Sequence, residues 1–122
     1  MVAFQTWTGA GDSQVLVSLT NGAVLSLDHG DCFGATGTLS DPVVIVTPIP
    51  GVPGDLGRDP RYVEPVVKRI EAITDTNLLE AVARVPASEP WRSPVERRGE
   101  IASWLAHRRG RLREVMEAWL RR

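Results

Sequence analysis

The dipeptide Asn21-Gly22 constrains the fold of this chain more than any other feature of its sequence. A two-residue type I′ turn needs positive φ at both positions, and Asn-Gly is the pair that most readily supplies it. Two apolar runs, QVLVSLT and AVLSLD, flank the dipeptide. The sequence therefore predicts a β-hairpin that turns at Asn21-Gly22 and pairs Val17 with Ser26.

The predicted hairpin carries apolar side chains on both of its faces. Val15 and Val17 share one face, and Leu16 lies on the other. A strand pair that is apolar on both faces is typical of a layer covered on both sides. We therefore expect the hairpin to be buried, with the polar residues Gln14 and Asp28 at its open end.

Composition and periodicity divide the chain into three regions. Residues 1–47 hold the expected hairpin and a metal-binding turn, residues 48–58 are a Pro/Gly loop, and residues 59–122 have helical periodicity. A length of 122 residues suits one domain with a modest core. We predict a single domain of the α+β class, in which an N-terminal buried β-hairpin with loops is followed by a bundle of about three helices.

The apolar spacing predicts the first two helices over residues 61–73 and 77–85. Asp75 or Thr76 is expected to cap the second helix. Pro65 is expected either in the first turn of the first helix or at a later start of that helix, because proline is disfavoured in a helix interior.

The third helix has the clearest start signal in the chain. Ser93-Pro94-Val95-Glu96 has the pattern of a capping box with proline as the first helical residue. Trp104 and Trp119 are predicted to lie on its apolar face, in the core or an interface. Gly110 is expected to break or bend this helix, because glycine costs up to about 1 kcal/mol in a helix interior.

Cysteine and histidine are too few for several kinds of site. Cys32 is the only cysteine and there are two histidines, which excludes an internal disulfide and makes a four-ligand structural zinc site untenable. No apolar run approaches the roughly 18 residues that a membrane span needs, and the first residues lack the pattern of a signal peptide. We expect a cytoplasmic protein without a membrane partner.

Charge is distributed unevenly along the chain. Residues 1–57 contain five Asp and no Lys or Arg, whereas residues 96–122 contain eight Arg against four Glu. Such a basic end suits an acidic partner surface unless its arginines are simply solvated. Nucleic acid is disfavoured as the partner because the pI is about 6.1. The predicted basic surface comprises Arg108, Arg109, Arg111 and Arg113.

The two ends of the hairpin resemble the metal-binding residues of protein kinases. In those enzymes an amide precedes a strand pair, and the acid of a D-F-G-like turn follows it. Here Gln14 opens the hairpin and Asp28-His29-Gly30 closes it. The turn is similar to the D-H-G-x-x-F-G turn of HipA-like kinases, and the similarity continues through Val85-Pro86 into ERRGEIASWLAHRRGRLREVM. The chain thus resembles the carboxyl-terminal, catalytic-lobe half of a HipA-like kinase, a family related in fold to phosphatidylinositol kinases.

The resemblance implies a phosphotransferase fold that binds ATP and Mg²⁺. Asp28 would be the principal metal ligand, and Gln14 would stand where the family more usually has an Asn ligand. His29 and Gly30 would support the turn. Carboxylate and amide oxygens are suitable ligands for a hard cation such as Mg²⁺.

Two departures from the family pattern limit the activity that the resemblance implies. The catalytic aspartate of such kinases lies about five residues before the amide, where this chain has Gly9. Asp12 is the only acid nearby, and it would either supply the base or serve the metal. The second departure is that no small lobe with a phosphate-covering loop and a nucleotide-binding lysine precedes the hairpin. We therefore expect weak Mg²⁺ binding, ATP binding only if another segment supplies a small lobe, and no kinase activity from this chain alone. It would be a natural remnant, half of a split protein or an excised domain.

Protein binding is the alternative function. A catalytic lobe without its small lobe leaves apolar surface uncovered, and such surface favours a partner protein or a homo-oligomer. The two functions are compatible, because a kinase-derived fold can work in binding.

Overall fold

The computed structural model describes residues 2–9, 14–18, 20–21, 24–27, 39, 41, 59–84 and 94–121. These residues form four α-helices, which are α1 (Val2–Thr8), α2 (Pro60–Glu71), α3 (Asp75–Ala83) and α4 (Val95–Leu120). Two short strands, β1 (Gln14–Val17) and β2 (Val24–Leu27), follow α1 in the chain.

The predicted α+β class is wrong, and the domain is helical. Helices contain 54 of the 75 described residues, whereas the two strands contain eight. Every residue of the described buried core lies on a helix. Within the described part of the chain, the strands have four residues each and form one two-stranded sheet, which is marginally stable on its own.

The first helix corrects the expectation of strands and loops alone in residues 1–47. Seven residues form α1, and the helix ends at Gly9, whose φ of 66° lies in the left-handed region. Glycine is the residue that most often ends a helix in this conformation. Trp7 is a buried residue of this helix.

The strands pair in a register different from the predicted one. Gln14 lies opposite Leu27 and Val17 lies opposite Val24, so the expected pairing of Val17 with Ser26 is wrong. The turn is centred one residue earlier than Asn21-Gly22. Each residue of β1 therefore pairs with a residue of β2 two positions earlier than predicted, and a shift of two leaves every side chain on its predicted face. The side chains of both strands, and with them the predicted burial of the pair, lie outside the described residues.

Helix α2 begins with a well-formed cap. Asp59 Oδ1 accepts a hydrogen bond of 2.9 Å from the Arg61 backbone N–H, and Pro60 is the first helical residue. Pro65 lies inside the helix, so both alternatives predicted for it are wrong. The carbonyl that loses its donor there belongs to Arg61, which is exposed to solvent in the first turn.

Helix α3 begins with a capping box at Thr74, one residue before the first of the two caps that the sequence analysis expected. Thr74 accepts a hydrogen bond of 3.1 Å from the Asn77 backbone N–H, and the Asn77 side chain accepts one of 3.0 Å from the Thr74 backbone N–H. The expected caps, Asp75 and Thr76, are already helical.

Helix α4 is the central element of the fold. Its N-cap is Pro94, which makes no side-chain capping bond, so the predicted capping box is wrong. The helix also continues through Gly110 without interruption for 26 residues. Its buried face contacts the three other helices and supplies half of the residues in the described buried core. The residues of α4 in the buried apolar core are Ala102, Trp104, Leu105, Leu112, Met116 and Trp119.

Candidate functional site

The structure brings Gln14 next to the strand that leads into the predicted metal turn. Gln14 is the first residue of β1 and lies directly opposite Leu27, the last residue of β2. Asp28 follows Leu27 in the sequence. Asp28, together with the other predicted site residues Asp12, His29 and Gly30, lies outside the described residues.

The donor set at this end of the strand pair is chemically suited to a hard divalent cation. One carboxylate and one amide oxygen are ligands that Mg²⁺ accepts, with water completing its octahedron. Among the described residues no group of three His, Cys, Asp or Glu side chains is placed to hold a metal ion.

The junction between α1 and α4 is built from buried polar contacts. The Trp7 indole N–H donates to the Leu105 carbonyl over 2.9 Å. Arg108 Nε donates to the Trp7 carbonyl over 2.9 Å, and Arg108 Nη2 donates to the Thr6 carbonyl over 2.6 Å. Two consecutive carbonyls at the C-terminus of α1 are thus held by one guanidinium.

The guanidinium of Arg108 is buried and stacked. The residue is 3% exposed, and its Cζ lies 4.3 Å from the ring centroid of Trp104. Burial lowers the pKa of Arg108 from its ordinary value, because desolvation disfavours the charged form. The aromatic face and the negative end of the α1 dipole both offset that cost.

Gly9 lets the chain pass close to the same tryptophan. A Cβ at Gly9 would lie 2.9 Å from Trp104 Cη2 and 3.4 Å from Cζ2. Real Cβ atoms do not approach other atoms so closely. The chain therefore leaves α1 over the edge of the Trp104 ring at a position that only glycine fits.

Two further arginines of α4 hold the other helices. Arg109 donates to the Ile73 carbonyl and, over 2.6 Å, to Asp75 at the start of α3. Arg113 donates to Glu71 over 2.6 Å and to Glu64 over 3.1 Å, both on α2.

The ion pairs of Arg113 shift its own pKa and that of Glu71. The hydrogen bonds that Arg113 donates to Glu71 and Glu64 raise its pKa. The hydrogen bond from Arg113 lowers the pKa of Glu71. The guanidinium is therefore always charged and Glu71 is ionised at neutral pH.

The arginines predicted as a basic surface are thus engaged within the domain. Arg108 lies in the core, Arg109 and Arg113 bind α2 and the start of α3, and Arg111 lies 3.6 Å from Glu114 on its own helix. Sequence analysis assigned all four to the surface because of their charge. The spacing held a signal, since Arg108 lies three residues after Leu105 and four before Leu112, on the apolar face.

Comparison with known protein families, with curated proteins and with solved structures gives no match for this chain. None of the described helices combines the length and the apolar character that crossing a membrane would require.

Proposed function

We propose that this chain binds a divalent cation of the Mg²⁺ type through Gln14 and Asp28, as a catalytic-lobe remnant related to the HipA-like kinases, and does not transfer phosphate on its own. The observation that supports this most is the pairing of Gln14 with Leu27, the residue that precedes Asp28. The site needs only this local pairing and not the α+β class that the structure overturned.

Backbone geometry limits how far apart the two proposed ligands can be. Opposite residues of an antiparallel pair have Cα atoms roughly 5 Å apart. Consecutive Cα atoms are about 3.8 Å apart. The Cα atoms of Gln14 and Asp28 are therefore within about 9 Å of each other.

The absence of phosphate transfer follows from the residue types near the proposed site. Gly9 stands where the resemblance implies a catalytic aspartate, and its backbone passes against Trp104. The only lysine, Lys68, lies on α2 with its Nζ 3.7 Å from Glu64. We expect ATP to bind only together with a small lobe supplied by another segment.

The test is a Mg²⁺ titration of the ¹⁵N-labelled chain. We expect shifts of the Gln14 and Asp28 resonances that saturate with the cation and disappear in Asp28→Asn. The matched control is Asp41→Asn, because Asp41 is an exposed acid outside the proposed site. Absence of shifts at millimolar Mg²⁺, with or without ATP, would contradict the proposal, as would equal shifts in Asp28→Asn.

Protein binding remains the second candidate function. One face of α2 carries Tyr62, Pro65, Val66 and Arg69 at helical spacing, and Tyr62 is 68% exposed. Tyrosine and arginine are enriched where protein interfaces are most stabilising. We expect light scattering to show concentration-dependent self-association that Tyr62→Ala weakens and Glu80→Ala, at an exposed position of α3, does not. A strict monomer with no binding of apolar dye would count against this function.

A further inference from the structure

The exposed face of α2 that carries Tyr62, Pro65, Val66 and Arg69 is arranged so that it can pack against a second copy of itself. The intervals between these four positions are three, one and three residues, so the spacing is the same from either end of the helix. In an antiparallel pair of α2 helices centred between Pro65 and Val66, Tyr62 of one copy therefore lies opposite Arg69 of the other. We infer that this face binds a second copy of the chain, in an antiparallel dimer with two-fold symmetry. The inference rests on protein binding, the second candidate function, and names its partner.

The two side chains at the ends of the face are chemically complementary. Tyr62 is 68% exposed, and Arg69 is exposed two turns, about 10 Å, further along α2. An arginine guanidinium stacks favourably on the face of a tyrosine ring. Because a two-fold axis generates each contact twice, the antiparallel dimer contains two such pairs. A parallel pair would instead bring the two arginines together, so the like charges favour the antiparallel arrangement.

Within the described part of the chain, neither of these two groups has a partner of its own. The Tyr62 ring and the Arg69 guanidinium make no hydrogen bond, ion pair or ring contact with another described residue. Arg109 and Arg113 of α4, by contrast, each bind an acid of the same domain. Since no described acid neutralises Arg69, its charge is available to an aromatic ring of another molecule.

The cations beside this face are already paired within the chain. Arg61 binds Asp59 over 2.6 Å, and Lys68 Nζ lies 3.7 Å from Glu64. Exposed ion pairs of this kind add little to stability. They do lower the net charge of the flanks that two antiparallel copies would bring together, so the flanks oppose the dimer only weakly.

The centre of the face combines short apolar side chains with a fixed support. Pro65 is exposed, and Val66 is partly buried and packs against the buried core. Side chains of this size allow two helices to approach to an axial distance of about 8–10 Å. A face only two turns long buries less than the roughly 800 Å² per partner of a standard interface. We therefore expect a weak and reversible dimer.

The experiment exchanges the two complementary side chains and measures dimerisation by sedimentation equilibrium, up to about 1 mM chain because the interface is small. Tyr62→Arg places arginine opposite arginine, so the dissociation constant of the dimer should rise by about tenfold or more. The double variant Tyr62→Arg/Arg69→Tyr restores one tyrosine–arginine pair on each side of the axis. Its dissociation constant should return to within about threefold of the original value.

The matched control is Leu79→Arg, which adds the same charge in place of another exposed apolar side chain, on α3. It should leave the dissociation constant within about twofold of the original value. The three substituted positions, Tyr62, Arg69 and Leu79, are all exposed, so the variants should fold, and circular dichroism checks that they do.

The outcomes separate the inferred dimer from protein binding in general. A dimer that Tyr62→Arg weakens and the double variant does not restore would overturn the antiparallel arrangement, while protein binding through this face would stand. Weakening by Leu79→Arg alone would assign the self-contact to α3 and overturn the inference. A chain that stays monomeric at about 1 mM would overturn the second copy as the partner. Binding of apolar dye by that monomer would still support protein binding, and its absence would count against both.

Discussion

Replacing Gly9 by alanine tests whether the C-terminus of α1 is seated against Trp104. Gly9 has a φ of 66°, which an L-residue with a side chain adopts only at a cost. The added Cβ would also lie 2.9 Å from Trp104 Cη2. The tryptophan cannot easily give way, because it is 4% exposed and supports the guanidinium of Arg108.

The two effects have separate magnitudes. The left-handed conformation costs a non-glycine residue about 1–2 kcal/mol. Overpacking of a rigid site costs about 1–3 kcal/mol. We therefore expect Gly9→Ala to lower the free energy of unfolding by about 2–5 kcal/mol. For a chain of this size the melting temperature should fall by roughly 8–20 °C.

The control is the same substitution in the interior of α4. An added Cβ at Gly110 meets no atom within 4 Å, and the residue is exposed. Gly110→Ala should stabilise the chain by about 0.5–1 kcal/mol, because alanine is the better helix former. Urea unfolding followed by circular dichroism measures both variants. Equal effects of the two substitutions, or a loss below about 1 kcal/mol for Gly9→Ala, would refute the described seating of Gly9 on Trp104.

Two further predictions concern α2 and α3. Thr74→Ala removes the capping box and should cost about 1 kcal/mol in urea unfolding, whereas Thr76→Ala, inside the exposed first turn, should change stability by less than about 0.5 kcal/mol. Arg113 lowers the pKa of Glu71 in the folded state. The ion pair therefore stabilises the folded chain above the unfolded pKa of Glu, about 4.3, and this stabilisation is lost as the pH falls through the lower folded pKa. Glu71→Gln should therefore reduce stability at pH 7 by less than about 1 kcal/mol, since the pair is partly exposed, and should match the original chain near pH 2. A difference that persists near pH 2 would show that the ion pair is not its source.

The helices of the second half were largely predictable, because each has an apolar face and a solvated face. Val63, Val67 and Ile70 of α2 have the helical spacing that predicted them, and all three are buried. The ends were predicted less well. Thr74 competes with Asp75 and Thr76 as a cap, and only the backbone path decides which residue is the first helical one.

Helix α1 could not be predicted from periodicity. It has seven residues, and Gln5, Thr6 and Thr8 are buried alongside Ala3 and Trp7. Because Phe4 of the same helix is 42% exposed while polar residues are buried, α1 lacks the apolar and polar faces on which a periodicity argument depends. This helix is stabilised by tertiary contacts, including the two hydrogen bonds from Arg108, rather than by an amphipathic pattern.

The proposed cation site was only partly within reach of sequence reasoning. The apolar runs identified Gln14 and Asp28 as the residues that frame the strand pair. The Asn-Gly rule gave the wrong register, because turn preference is a local term and strand pairing depends on the contacts made along both strands. Arg108 was assigned to the surface because charge was given more weight than its position on the apolar face of α4.

The most direct test of cation binding is a titration with Mn²⁺ in place of Mg²⁺, in which the paramagnetic ion broadens nearby resonances. If Gln14 and Asp28 share one ion, the side-chain amide of Gln14 and the backbone amide of Asp28 broaden together at the same low Mn²⁺ concentration. Both recover when excess Mg²⁺ is added. Broadening of one without the other, or of neither, would contradict a shared site.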